Sequence, residues 1–213
     1  MKEIVIIGAG DFGKEVAWLI EDINKQKPTY IILGYLDDDI NKIKRVYNGY
    51  QCLGPIAYLN TLNQNHHACA VIAMQNGDVR KKILESLPEF DAWETLIHPS
   101  VHCSETSHIG KGCIVCANTN ISVNTTIGDQ CIFNIAGTVG HDCEIGDYVS
   151  VMSGAVISGH VQIGENAYLG SNSTIIPGIK VGAHAKVGAG SVAIRKVKEG
   201  TTVMGVPAKE FRF

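Results

Sequence analysis

Between Ile97 and Ala193 an apolar residue returns at every sixth position, a period that no helix has. The series runs Ile97, Cys103, Ile109, Val115, Ile121, Ile127, Phe133, Val139, Ile145, Val151, Ile157, Ile163, Leu169, Ile175, Val181, Val187 and Ala193. Glycine often follows it, and the residue four places on is usually small, as in Thr119, Cys131, Gly137, Ala155, Ala167 and Ser191. A period of six joins a short strand to a sharp turn. Three such units make one triangular coil of about 18 residues, and stacked coils make a parallel β-helix. The large apolar residue and the small one both point inward and fill the prism. Seventeen units over 97–198 give between five and six coils, roughly 25 Å tall at the ~4.8 Å strand spacing.

Residues 1–95 carry a different pattern, and the boundary at 95/96 divides the chain into two domains. Residues 3–7 (EIVII) read as an apolar strand, followed by the turn GAGDFG and a helix from about Phe12 to Lys25 with Val16, Leu19, Ile20 and Ile23 on one face. A second strand, IILGYL, ends in Asp37, Asp38 and Asp39. A third, CAVIAM at 69–74, precedes a helix over Val79–Leu87, and a last strand leads through Leu96 into the repeat. This is a small Rossmann-like α/β domain with a mostly parallel sheet. Gly8, Gly10 and Gly13 match the dinucleotide fingerprint. Gly8 permits the tight turn, Gly10 lets backbone approach a phosphate, Gly13 allows helix to pack on strand, and the helix N-terminus presents free N–H groups to an anion. Only one mononucleotide-sized half precedes the repeat, which favours a nucleotide diphosphate attached to another group over NAD. A turn with no ligand, and strand-end carboxylates that are merely solvated, are the bland alternatives.

A formal charge of −3 with four arginines argues against nucleic acid as a partner. No window offers about 18 continuous apolar residues for membrane insertion, and Met1 leads directly into a strand, so a soluble cytoplasmic protein is expected. The seven cysteines are odd in number, and Cys113, Cys131 and Cys143 occupy the small inward position of the repeat, so they read as reduced core fillers. Cys113 and Cys116 have the spacing of half a zinc site, but no second pair follows, and no metal is expected.

Joined in this order, the two parts resemble the NeuD/PglD-type sugar acyltransferases. The resemblance rests on GAGDFGKEV near the start, LDDD at the strand end, LIHPS at 96–100, FNIAGTVGHDCEIGD at 133–147 and GVPAK at 205–209. It implies a left-handed coil, a homotrimer, a nucleotide sugar on the first domain and acetyl-CoA along the β-helix between subunits. By motif, His141 is the general base and Asp142 its orienting partner. Asn134 lies in the acceptor pocket, and Gly159 offers a backbone N–H to the thioester carbonyl. Gly8, Gly10, Asp11, Phe12, Gly13, Asp37 and Asp38 are the nucleotide-sugar candidates. Ser171, Gly188, Ala189, Arg195 and Lys209, with Lys196 nearby, are the CoA candidates. Two departures stand in the acceptor region: Phe12, where many members have histidine, and Met74-Gln75, where Ile-Gly is common.

The chemistry supports His141 without the resemblance. Transfer from a thioester needs a group that removes a proton from the attacking amine or hydroxyl, and imidazole titrates near neutrality. His141 stands third in its unit, beside a corner rather than at an inward site, and an acid follows it. The alternative is an exposed turn histidine. His98 and His102 stand at the entry to the repeat, His66 and His67 in a polar loop, and His108, His160 and His184 at variable repeat positions. A hexapeptide β-helix can also be a zinc carbonic anhydrase. That arrangement needs a closely spaced histidine pair with a distant third, whereas His141, His160 and His184 are 19 and 24 residues apart.

The expected activity is acetyl-CoA-dependent N-acetylation of a nucleotide-linked amino sugar, of the 4-amino-4,6-dideoxy type, for a surface glycan. O-acetylation of sialic acid or a related sugar is the alternative within the enzyme class. A non-catalytic nucleotide-sugar-binding scaffold is the alternative outside it.

Overall fold

The computed structural model describes residues 1–211. The chain forms two compact units, Met1–Pro99 and a second from Ser100 onward.

The first unit is built on a five-stranded sheet of order β3-β4-β2-β1-β5. Its strands are β1 (Lys2–Ile7), β2 (Tyr30–Leu36), β3 (Val46–Tyr47), β4 (Tyr50–Gly54) and β5 (Cys69–Ile72). All neighbours are parallel except β3 and β4. In β1, an interior strand between β2 and β5, the apolar run Ile4, Val5, Ile6 and Ile7 is fully buried, as a parallel sheet covered on both faces requires. Helix α1 (Asp11–Gln26) buries Val16, Leu19 and Ile20, with Asp11 in its first turn and Lys25 in its last, both favourable to the helix dipole. Helix α2 spans Leu59–His66, so His66 ends a helix rather than lying in a loop. Helix α3 (Gly77–Ser86) starts two residues earlier than the apolar pattern suggested, because the Asn76 side chain caps it by accepting from the Asp78 N–H at 2.9 Å. The β3–β4 hairpin was also not foreseen. Its two-residue turn is Asn48-Gly49, both at positive φ (49° and 85°), which is the tight turn that Asn-Gly favours.

The second unit is the β-helix. Each unit of the repeat contributes a two-residue strand, and strands 18 residues apart pair in parallel. One wall carries Asn120, Thr138, Val156, Thr174 and Val192 in register; the next carries Thr126, Glu144, Gln162 and Lys180; the third carries Ile114, Ile132, Ser150, Tyr168 and Lys186. The apolar series and the small residues four places on form one continuous core, in which Cys113, Cys131, Phe133, Ala155 and Leu169 are fully buried. Ile97, the first member of the series, departs from this and is 40% exposed. From Gly112 to Gly190 every sixth residue turns the corner in the left-handed backbone region, including Asn118, Asn124, Gln130, Ala136, Asp142, Tyr148 and His160. The C-terminal end is closed by an antiparallel pair, Thr202–Met204 with Lys209–Phe211.

Candidate active site

Two groups of candidate residues take shape, one in each unit. In the first unit, the β1–α1 turn brings the fingerprint together. Gly8 has φ +106°, which disfavours any side chain, and a Cβ on residue 13 would run into the Gly8 carbonyl oxygen. Gly10 is the N-cap of α1, has no capping side chain, and is bordered by open space. The leading N–H groups of a 16-residue helix therefore face an uncrowded turn.

Four side chains expected as ligand contacts stand at this turn, each in its own surroundings. Asp37 is 6% exposed, and its carboxylate is already occupied. It accepts from the Ala9 N–H at 2.9 Å, the Asp39 N–H at 2.9 Å and the Lys42 ammonium at 2.8 Å. Burial pushes the Asp37 carboxyl up, but Lys42 and the two backbone donors outweigh it and hold it below its ordinary range. Asp37 is thus a clip between the strand end and the glycine turn. Phe12 is buried and offers a pocket little surface. Asp11 is exposed and pairs with Lys14 at 2.7 Å, which lowers its carboxyl. Asp38 is exposed, with one oxygen accepting from the Ile56 N–H at 2.9 Å.

In the β-helix the corner after Val139 carries the second group. His141 Nδ1 lies 2.8 Å from Asp142 Oδ2. A carboxylate can only accept, so this contact places the ring proton on Nδ1 and leaves the Nε2 lone pair free. The His141 ring and the Asn124 amide, which donates to the other Asp142 oxygen at 3.1 Å, hold the Asp142 carboxyl below the usual carboxylate range. The next coil supplies Gly159, directly under the imidazole: a Cβ there would lie 2.6 Å from Nε2. Among the described residues the Gly159 N–H donates to no acceptor.

The same corner holds a residue that sequence reasoning set aside. His160 packs against His141 with ring centroids 4.9 Å apart and planes at 89°. The signal was available in the 18-residue coil: adding it to Asp142 gives His160, and subtracting it gives Asn124. His141, Asp142 and His160 bring three donor atoms within 4.8 Å of one another, a grouping that could gather a metal ion. However, the 2.8 Å Nδ1–Oδ2 separation is a hydrogen bond, shorter than the edge of about 3.3 Å that ligands ~2.05 Å from a tetrahedral zinc would span.

The remaining candidates divide between corners. Arg195 lies on the His141–Gly159 corner three coils from His141, since Val139, Ile157, Ile175 and Ala193 are in register. Arg195 and Lys209, with Lys196 and Lys198, line a cleft of about 370 Å³, and among the described residues none of these four cations is in an ion pair. Asn134, Ser171, Gly188 and Ala189 follow the other wall, that of Phe133, Leu169 and Val187, and so occupy a different corner of the same chain. Asn134 is buried, with its side-chain oxygen accepting from the Ile135 N–H at 2.7 Å. A larger depression, about 690 Å³, runs along the wall of Thr126, Glu144, Gln162 and Lys180 and contains neither His141 nor Asp142. Among the other histidines, His98 contacts Asp22 at 3.2 Å, His102 contacts Asn120 at 3.2 Å, and His184 contacts Asn166 at 3.0 Å.

The geometry can be set beside known proteins. Residues 3–87 match the PglD N-terminal domain, and residues 160–194 match the bacterial transferase hexapeptide (six repeats). The acetyltransferase domain of PglB from Neisseria gonorrhoeae FA1090, solved with acetyl coenzyme A, is 31% identical over 99% of each chain, with a TM-score of 0.89. This chain belongs to the PglD/NeuD-type sugar acyltransferases. WeeI from Acinetobacter baumannii AYE shares 30% identity over 99% of this chain and 100% of that one, with a TM-score of 0.87. A perosamine N-acetyltransferase from Caulobacter crescentus, solved as a histidine-to-asparagine mutant with CoA and GDP-perosamine, is 28% identical over 100% of this chain and 98% of that one, with a TM-score of 0.90. No curated protein sequence matches the chain. Membership makes the chain an acyltransferase and its β-helix left-handed. Among the described residues no helix is long and apolar enough to cross a membrane.

Proposed function

We propose that the protein transfers the acetyl group of acetyl-CoA to the amine of a nucleotide-linked amino sugar. One observation carries this reading: His141 is anchored through Nδ1 to Asp142, with Nε2 free beside a bare Gly159 backbone. The amine nitrogen attacks the thioester carbonyl carbon, and Nε2 accepts the proton that nitrogen sheds. The Gly159 N–H donates to the oxyanion that develops. The C–S bond then breaks, the amide forms, and the CoA thiolate takes a proton back from His141. Asp142 stabilises the imidazolium formed in between, without itself being protonated.

The donor's phosphates suit the cleft of Arg195, Lys196, Lys198 and Lys209, four cations facing one acid, Glu210. The acceptor's diphosphate suits the N-terminus of α1 at Gly10. His141 and Gly159 share one corner of the prism, whereas Asn134, Ser171, Gly188 and Ala189 share another. One chain does not unite them, but cyclic packing of three would set one corner against a neighbour's other corner, which is the reason for proposing a homotrimer. The relatives solved with acetyl coenzyme A, or with CoA and GDP-perosamine, support the same substrate classes.

The test is a thiol-release assay with acetyl-CoA against UDP-, dTDP-, GDP- and CMP-linked amino sugars and their hydroxyl counterparts. Release dependent on an amino sugar, with the acetyl group recovered as an amide, is expected. Release only with a hydroxyl acceptor such as a sialic acid would replace N- by O-acetylation.

A further inference from the structure

His160 stands one coil beyond Asp142, and the two corners are built alike. Asn124, Asp142 and His160 turn at φ 56°, 55° and 59°, so their side chains climb one edge of the prism as a ladder. The Asn124 amide meets Asp142 Oδ1 at 3.1 Å, Asp142 Oδ2 meets His141 Nδ1 at 2.8 Å, and the His160 ring closes the ladder edge-to-face on the His141 ring at 4.9 Å. Such T-shaped ring pairs are attractive and directional. The polar link from His160 is weaker: its Nε2 lies 3.9 Å from Asp142 Oδ2, beyond hydrogen-bond range.

His141 needs this support. Its side chain is 52% exposed, and the surface beside it is a glycine, which confines no ring. One hydrogen bond through Nδ1 leaves the imidazole free to swing about that bond. Its Nε2 must nevertheless stay within about 3 Å of the acceptor's nitrogen for proton transfer to occur.

From this geometry we infer that His160 is a positioning residue, whose ring contact fixes the plane of the His141 imidazole and so the direction of Nε2. The inference rests on His141 being the base.

The chain shows which substitutions this corner tolerates. Ala136, Gln130 and Tyr148 occupy equivalent corners at φ 60°, 56° and 59°, so alanine, glutamine and an aromatic ring all fit the backbone. His160→Ala is expected to lower kcat about 10-fold with both KM values within about 2-fold, because misdirection of a base acts on the transition state rather than on binding. His160→Phe keeps a ring and should restore kcat to within about 3-fold of the unaltered enzyme. His160→Gln keeps polarity without a ring and should stay with alanine. In a His141→Ala background, His160→Ala should have no further effect. Thermal melting of each variant confirms that equal amounts of folded protein are compared.

Unchanged kcat in His160→Ala overturns the proposal, as does rescue by glutamine but not phenylalanine. A raised KM at constant kcat overturns it by making His160 a ligand contact. Near-normal turnover of His141→Ala alone defeats the base assignment itself. A further loss from His160→Ala in that background defeats only the positioning role.

Discussion

The His141 ring lies across the backbone of Gly159: a Cβ on residue 159 would come within 2.6 Å of Nε2 and 2.7 Å of Cε1. Gly159 is not at positive φ, so its lack of a side chain serves the space above it rather than the turn. Gly159→Ala should therefore fold normally and displace the base. The expected loss is about 10²-fold in kcat with an unchanged melting temperature. Wild-type turnover in the alanine variant would show that the ring has room to spare.

Asp142 acts on His141 through its carboxylate while turning the corner at φ 55°. Asparagine accepts this backbone and can still accept from Nδ1, but carries no charge to balance an imidazolium. Asp142→Asn should lower kcat by about 10-fold, less than removal of the base, with acetyl-CoA affinity retained. Steady-state kinetics with calorimetry of the donor separates the two effects.

The repeat made the second domain readable because one hexad unit dictates wall, corner and core at once. Phe133 and Cys131 are buried where the series put them. The first domain was less legible. Its hairpin hides in Val46–Tyr50, where the Asn48-Gly49 turn is a stronger signal than the weak alternation of the flanking strands. A strand-end acid after a glycine turn reads as a ligand candidate; that Ala9, Asp39 and Lys42 converge on Asp37 is visible only in the fold. His160 was passed over because its neighbours in space are one coil away in sequence.

Asp37 also makes the first domain sensitive to acid. Its carboxyl is held below the ordinary range despite burial, so its stabilisation is complete above that range and is lost as pH falls through the lowered folded value. The unfolding temperature of the first domain should drop as pH is taken below about 4. Asp37→Asn should flatten that dependence and cost about 1–3 kcal/mol at neutral pH. Differential scanning calorimetry from pH 7 downwards checks both, and an acid limb that survives in the variant would place the sensitivity elsewhere.

Substitution at Gly10 is a way to test acceptor binding separately from folding. Nothing lies within 4 Å of a Cβ built there, so the branch point of Gly10→Val has room in the free protein. Its side chain would occupy the approach to the α1 N-terminus. Acceptor KM should rise about 10-fold or more, with acetyl-CoA affinity unchanged. Asp38→Ala is a less clean probe, because it also removes the 2.9 Å bond to the Ile56 N–H. If valine at position 10 leaves acceptor KM untouched, the glycine turn is structural.

The proposed chemistry stands or falls with transfer of the acceptor's proton to His141 Nε2. Single-turnover and steady-state rates of His141→Ala, paired with calorimetric titration of acetyl-CoA, test it most directly. A kcat about 10²-fold to 10⁴-fold lower with donor affinity unchanged is expected, since a general base acts in the transition state. Turnover within about 3-fold of the unaltered enzyme would contradict it and return His141 to an exposed corner histidine.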